Sequence, residues 1–242
     1  AGQPPGRRHR ADQGLTASMR RAPGSRVLCS LALVTLLAGC TPTIIDYGPS
    51  PTGAASGFPC PPFERAASAL PAPEVRSGRV RIGKVSYPTA PAPYSAPSDG
   101  EYIAFGNLIA SQHAPIEQAT ASSMGWDSVV ALARLSSVDG AWGAQRASEV
   151  VGQCSLSVTW RGIDYHPRVR RDEALTVDGH PGWIRVTDLS FTVPGIRATS
   201  EVQTVVVVQV GDESYAYLSY LPDTAQHLKA QLDATREGLR VD

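Results

Sequence analysis

Glu201-Val202-Gln203-Thr204-Val205-Val206-Val207-Val208-Gln209-Val210 runs into Gly211-Asp212-Glu213 and then into Ser214-Tyr215-Ala216-Tyr217-Leu218-Ser219-Tyr220. Consecutive valines are stiff at χ1 and fit a pleated, buried surface, so the first segment reads as the strongest strand of the chain. The glycine-containing turn leads directly into a second strand, and a connection this short pairs the two antiparallel. Pro222-Asp223-Thr224 then offers a helix start. Ala225, Leu228, Leu232, Thr235 and Leu239 follow at three- and four-residue steps, which predicts an amphipathic helix with one apolar face.

Working backwards, Ala174-Leu175-Thr176-Val177 and Trp183-Ile184-Arg185-Val186 flank Asp178-Gly179-His180-Pro181-Gly182 and read as a hairpin. Its second arm continues to Val193, with a bulge expected near Asp188. Before the hairpin, Ala144, Ala147, Val150, Val151, Cys154 and Val158 recur at helical spacing, predicting a helix over 143–158. Trp126 to Leu135 is apolar on both alternating faces and is expected to be a central strand covered on two sides. Arg79 to Val85 and Glu101 to Phe105 read as shorter strands, and Pro115 to Met124 as loop or weak helix. Gly78 and Gly83-Lys84 have the spacing of a phosphate-binding loop. Val85 stands where a magnesium-holding hydroxyl is needed, however, and no helix pattern follows.

The fold class that emerges is α+β: an antiparallel sheet with two main amphipathic helices packed on it, in one domain spanning 78–242. With the 176–180 hairpin, the valine strand and the Leu221-Pro222-Asp223 entry to a terminal helix, this order resembles the PsbP/Mog1-like domains of small actinobacterial lipoproteins. The resemblance implies a sheet with flanking helices used as a binding or assembly module.

The N-terminal part carries a different message. Arg20, Arg21 and Arg26 precede the apolar run Val27 to Ala38, which ends in Leu37-Ala38-Gly39-Cys40. A basic flank, a short apolar core and a small-residue exit are the parts of an export signal. The run is too short to span a bilayer, which takes roughly 20 apolar residues. Its last four residues resemble the lipobox of bacterial lipoproteins, in which the cysteine receives a diacylglycerol. The resulting expectations are an upstream extension over 1–18, with translation starting at Met19, and a signal peptide over 19–39. A lipidated Cys40 and a flexible Pro/Ala/Gly tether follow over 40–77, placing the domain outside the cytoplasmic membrane in the cell envelope. Two acyl chains hold stably where one would not.

The whole chain has 22 basic and 22 acidic residues, but six arginines and one aspartate lie in 1–39. The remainder has 16 basic and 21 acidic residues and a net charge of −5, which gives no footprint for nucleic acid. Of four cysteines, Cys29 lies in the signal and Cys40 is the lipid site. Cys60 and Cys154 are a candidate disulfide in an oxidising compartment, the alternative being that Cys154 is simply a small buried apolar residue.

No nucleophile elbow and no His-Glu-x-x-His is present, and no two of His113, His166, His180 and His227 have metal-helix spacing. No metal, cofactor or catalytic residue is predicted. Asp178, His180 and Trp183 surround one turn, and Trp142 is a further large side chain available for a pocket rim. These four are the candidate ligand- or partner-binding residues, although Asp-Gly-x-Pro around a turn also serves the turn itself. The leading expectation is a non-enzymatic envelope lipoprotein that binds a partner protein or small ligand. A hydrolase or transferase acting on envelope material, built on His166, His180 or His227, and a passive scaffold are the alternatives.

Overall fold

The computed structural model describes residues 60, 73–100, 103–118, 125–136 and 143–242, all within the unit Gly48–Asp242. The expected signal peptide, Cys40, most of the expected tether, and Trp142 lie outside the described residues.

The described chain opens with three short strands, β1 (Glu74–Arg76), β2 (Arg79–Ile82) and β3 (Val85–Pro88), followed by β4 (Gly106–Glu117) and β5 (Trp126–Leu135). Helix α1 (Ala144–Thr159) precedes four long strands, β6 (Tyr165–Val177), β7 (His180–Phe191), β8 (Ser200–Val210) and β9 (Glu213–Pro222). A 3-10 helix (Asp223–Leu228), α2 (Lys229–Glu237) and β10 (Arg240–Val241) end it. The main sheet has the order β4-β5-β9-β8-β7-β6 and a smaller one the order β1-β2-β3-β10, with antiparallel pairing throughout.

The main sheet is covered on both faces. Val205 and Val207 join Ala131, Leu189 and Leu218 under the α1 residues Ala147, Val151 and Leu156. Val206 and Val208 point the other way, joining Val130, Ile184 and Tyr217 under Val80, Val85, Tyr87, Leu228 and Leu232. Period-2 alternation therefore fills two cores from one run of valines, with α1 covering one and the small sheet plus α2 the other.

Several expectations change. The strand expected over 79–85 is two strands, broken at Gly83, whose φ of +55° opens a two-residue hairpin turn. A Cβ at Gly83 would also lie 2.6 Å from the Tyr215 hydroxyl, so glycine is needed twice over. The glycines with phosphate-loop spacing are thus turn residues. Ile103 to Phe105 form a turn rather than a strand, closed by Gly106 N–H donating to the Ile103 carbonyl at 2.9 Å. Pro115 to Glu117, read as loop or helix, end β4. Glu74 to Arg76, read as tether, pair with β2. The bulge expected near Asp188 falls on the neighbouring strand, between Val169 and Arg171. The last helix stops at Glu237, and Arg240-Val241 pair with Ser86 and Val85.

Cys60 and Cys154 are joined by a disulfide that closes 94 residues of chain. Cross-linking so long a loop restricts the unfolded ensemble; chain-entropy reasoning puts the gain at somewhat over ~4 kcal/mol, while disulfides typically contribute about 2–4 kcal/mol. Cys60→Ala leaves Cys154 as a small buried side chain in α1, so it isolates the cross-link. Its urea midpoint is expected below that of the oxidised protein and close to that of the reduced one. Equal midpoints for oxidised and reduced protein would show that the bridge adds nothing.

Candidate functional site

Asp178 and Gly179 form the two-residue β6–β7 turn, with φ values of 48° and 82°. The Asp178 carboxylate accepts the Val241 N–H at 2.9 Å and lies 4.0 Å from the Arg240 Nε, so it clasps the C-terminal strand. Trp183 packs with the core under α1, and its indole N–H donates to Asp172. His180 has the parity of Ile184, which belongs to the opposite core. The alternation of β7 thus sends His180 and Trp183 to different faces, and the turn does not gather the three predicted residues into one site.

A groove lies elsewhere, between the β6–β9 face of the main sheet and the segment 226–240. It consists of two clefts, of about 490 and 410 Å³, that share Arg171 and Arg236. The first is lined by Leu175, Val177, Asp178, Ile184, Val206 and Arg240 among others. In the second, Val186, Val202, Leu221 and Leu232, with Thr204 and Ser219 among them, form a largely apolar floor beneath Arg170, Lys229 and Asp233. Of the predicted residues only Asp178 lines it. Arg171 reaches the groove from β6, whose unpaired edge is richly charged, as exposed edges tend to be. Arg236 reaches it from the last turn of α2, a favourable place for a cation. Tyr217 fixes the height of α2 above the sheet, sharing a 2.7 Å hydrogen bond with the Thr235 hydroxyl.

Reading from sequence missed Arg170, Arg171, Lys229 and Arg236. The available signal was Arg168-Val169-Arg170-Arg171 ahead of the hairpin, together with Lys229, Asp233 and Arg236 at helical spacing on the polar side of the terminal helix.

Other polar clusters serve the architecture. Glu117, almost fully buried, accepts the N–H groups of Arg197 and Ala198 at 2.8 and 2.9 Å and pins the β7–β8 loop. Burial alone would raise its carboxyl, but those amides and the Arg197 guanidinium outweigh it and hold the group below its ordinary 4.5. Asp223 is held low against its own burial by the hydroxyls of Thr199 and Ser200 and the Thr199 amide. At the other end of β9, hydrogen bonding to Lys84 holds the Glu213 carboxyl low, helped by Tyr215 and Arg134.

One arrangement has the residue types of a nucleophilic triad. On β4, His113 Nε2 is 3.3 Å from Ser111 Oγ, and its Nδ1 is 3.5 Å from the Asp127 carboxylate. Ser111, however, is fully buried, and its backbone N–H and carbonyl are both bonded to Ser98. A serine sealed under another segment presents no oxygen to a substrate, and neither cleft reaches it. Among the described residues, no hydrogen bond or ion pair joins His166, His180 or His227 to a carboxylate or hydroxyl. Nor is any group of three or more His, Cys, Asp or Glu placed to hold a metal.

No protein-family pattern and no curated protein matches the chain. Among solved structures it is similar to cyanobacterial PsbP (CyanoP) from Synechocystis sp. PCC 6803, with 9% identity and a TM-score of 0.42. That match covers 66% of this chain and 87% of that one. It is also similar to the Ran-binding protein Mog1p of Saccharomyces cerevisiae, with 10% identity, a TM-score of 0.41, and coverage of 66% and 90%. Likeness of this degree says nothing about ligand or activity.

Proposed function

We propose that this chain is a cell-envelope lipoprotein, carried on the outer face of the cytoplasmic membrane by a diacylglycerol on Cys40. Its folded part is a non-enzymatic module that binds a partner protein or small ligand. The anchoring half of this reading rests on the basic flank, the apolar run and Leu37-Ala38-Gly39-Cys40. The binding half rests on one observation: two clefts of several hundred Å³ meet at a pair of arginines above an apolar floor. Among the described residues the hydrolase reading has only Ser111, His113 and Asp127 to draw on, and Ser111 is sealed.

One experiment addresses both halves. Cys40→Ala is expected to move the protein out of the membrane fraction. The lipidated wild type, used as bait on native envelope, is expected to retain material that the Arg171→Glu/Arg236→Glu variant does not. A Cys40→Ala protein that stays wholly membrane-bound would defeat the anchor. Identical captures by wild type and groove variant would defeat the binding site.

A further inference from the structure

The second cleft combines two chemistries. Val186, Leu221 and Leu232 are nearly buried, at 6%, 6% and 5% exposure, and with Val202 they make a largely apolar floor, interrupted by Thr204 and Ser219, which lie side by side next to Val186. Above it, Arg170, Arg171, Lys229 and Arg236 face a single lining carboxylate, Asp233. The carboxylates that engage these cations sit in exposed or half-exposed pairs: Arg170 with Asp188 at 3.5 Å, Arg171 with Glu173 at 2.6 Å, and Arg236 with both Asp233 at 3.2 Å and Glu237 at 3.0 Å. Lys229 also pairs with Asp233. Pairs of this kind are weak in water and yield readily to a better anion. Guanidinium groups hold phosphate or carboxylate in bidentate fashion, which a planar fork does better than an ammonium.

Resting on the binding reading above, we infer that the groove takes an anionic amphiphile. A single phosphate or carboxylate head is held by Arg171 and Arg236, and an apolar tail lies along Val186, Val202, Leu221 and Leu232. The lining chemistry selects this class over its neighbours. A free inorganic anion has no use for the apolar floor, and a neutral amphiphile none for four cations. A polyanion would meet Asp233 in the middle of the basic rim.

The test uses the full chain carrying Cys40→Ala, so that no acyl chain has to be solubilised, and titrates three probes below their micellar concentrations by calorimetry. Octyl phosphate is expected to bind at least about tenfold more tightly than inorganic phosphate or octyl glucoside, the scale of one charge-assisted hydrogen bond and part of a buried tail. Arg171→Gln/Arg236→Gln is expected to lose about tenfold or more in octyl phosphate affinity while leaving octyl glucoside unchanged. Arg171→Lys/Arg236→Lys, which keeps the charge but not the fork, is expected to fall between wild type and the glutamine variant. Equal binding of phosphate and octyl phosphate would make this a free-anion site. Equal binding of octyl glucoside would make it an apolar cleft. Unchanged binding by the glutamine variant would place the amphiphile elsewhere, and each of these outcomes overturns the inference. If octyl phosphate fails while envelope capture still depends on Arg171 and Arg236, the binding module stands and only the ligand class falls.

Discussion

Trp126→Ala is expected to destabilise the domain by about 3–5 kcal/mol, the cost of emptying a large aromatic site in a packed core. For a fold whose total stability is about 5–15 kcal/mol, that is enough to leave a substantial unfolded fraction in mild denaturant. Trp126 opens β5 and is 8% exposed. Its ring stacks on Phe191 with centroids 4.8 Å apart, and meets Trp160 edge-on at 5.3 Å. Trp160 in turn meets Phe191 and Tyr165 edge-on, at 4.8 and 5.4 Å. These four side chains join β5, the end of α1, the start of β6 and the end of β7, so removing one loosens four elements at once. The indole N–H also donates to the Glu201 carboxylate at 2.8 Å, within a region where Glu201 is only 4% exposed. Alanine removes that donor as well as the ring, and a buried carboxylate that loses a donor costs more than the bond itself gained. Trp126→Phe separates the two contributions: it keeps much of the stack and is expected to lose only about 1–3 kcal/mol through the missing donor. Urea denaturation of the three proteins measures both. A Trp126→Ala midpoint indistinguishable from wild type would mean that the cluster is not cooperative with the rest of the fold.

The elements that could be read from sequence are those in which burial itself writes the pattern. Trp126 to Leu135 is apolar on both faces because Val130 and Leu132 enter one core and Val129, Ala131 and Ala133 the other. The valines of β8 are legible for the same reason. The α1 spacing survives because Ala147, Val151 and Leu156 must meet the sheet while Gln145, Arg146 and Gln153 stay outside. The first half of β6 shows no such pattern. Tyr165 to Glu173 is a charged, largely exposed edge, and it is a strand only because β7 offers a ladder to pair with. β10 is invisible for a related reason: two residues cannot display a period, and they are held by Ser86, Val85 and the Asp178 carboxylate. The groove was hidden one level higher. Arg171 and Arg236 sit on elements far apart in sequence, and neither residue stands out until the terminal helix is laid across the sheet. His180 and Trp183, close in sequence, do not share a face, because a strand sends alternate side chains to opposite sides.

Above pH 10 the fold is expected to lose stability steeply, through its tyrosines. Burial pushes the hydroxyls of Tyr87, Tyr94, Tyr165, Tyr215 and Tyr217 all upward, and that of Tyr217 to about 12 from an ordinary 10.0. A phenol whose folded value exceeds its unfolded one keeps its proton in the native state after the unfolded chain has begun to release it. Its stabilising contribution is therefore complete below pH 10 and is lost progressively as the pH rises through the folded value. For Tyr217, which is 1% exposed, the loss between pH 10 and about 12 is about 3 kcal/mol. Tyr87, with no exposure and no hydrogen-bond partner for its hydroxyl, adds to the loss in the same direction. The two rings meet edge-on between β3 and β9, at 6.1 Å, so ionisation of either strikes the core that seats the small sheet. Tyrosinate absorbance and backbone circular dichroism followed together from neutral pH upward should show ionisation of the buried tyrosines and unfolding as one cooperative step. Tyr217→Phe should flatten that step, although it also gives up the hydrogen bond to Thr235 on α2 and so starts from a lower stability. Full tyrosine ionisation at pH 10 with the circular dichroism unchanged would show that these hydroxyls are open to water, and that the packing of the small sheet and α2 over β9 is looser than the structure describes.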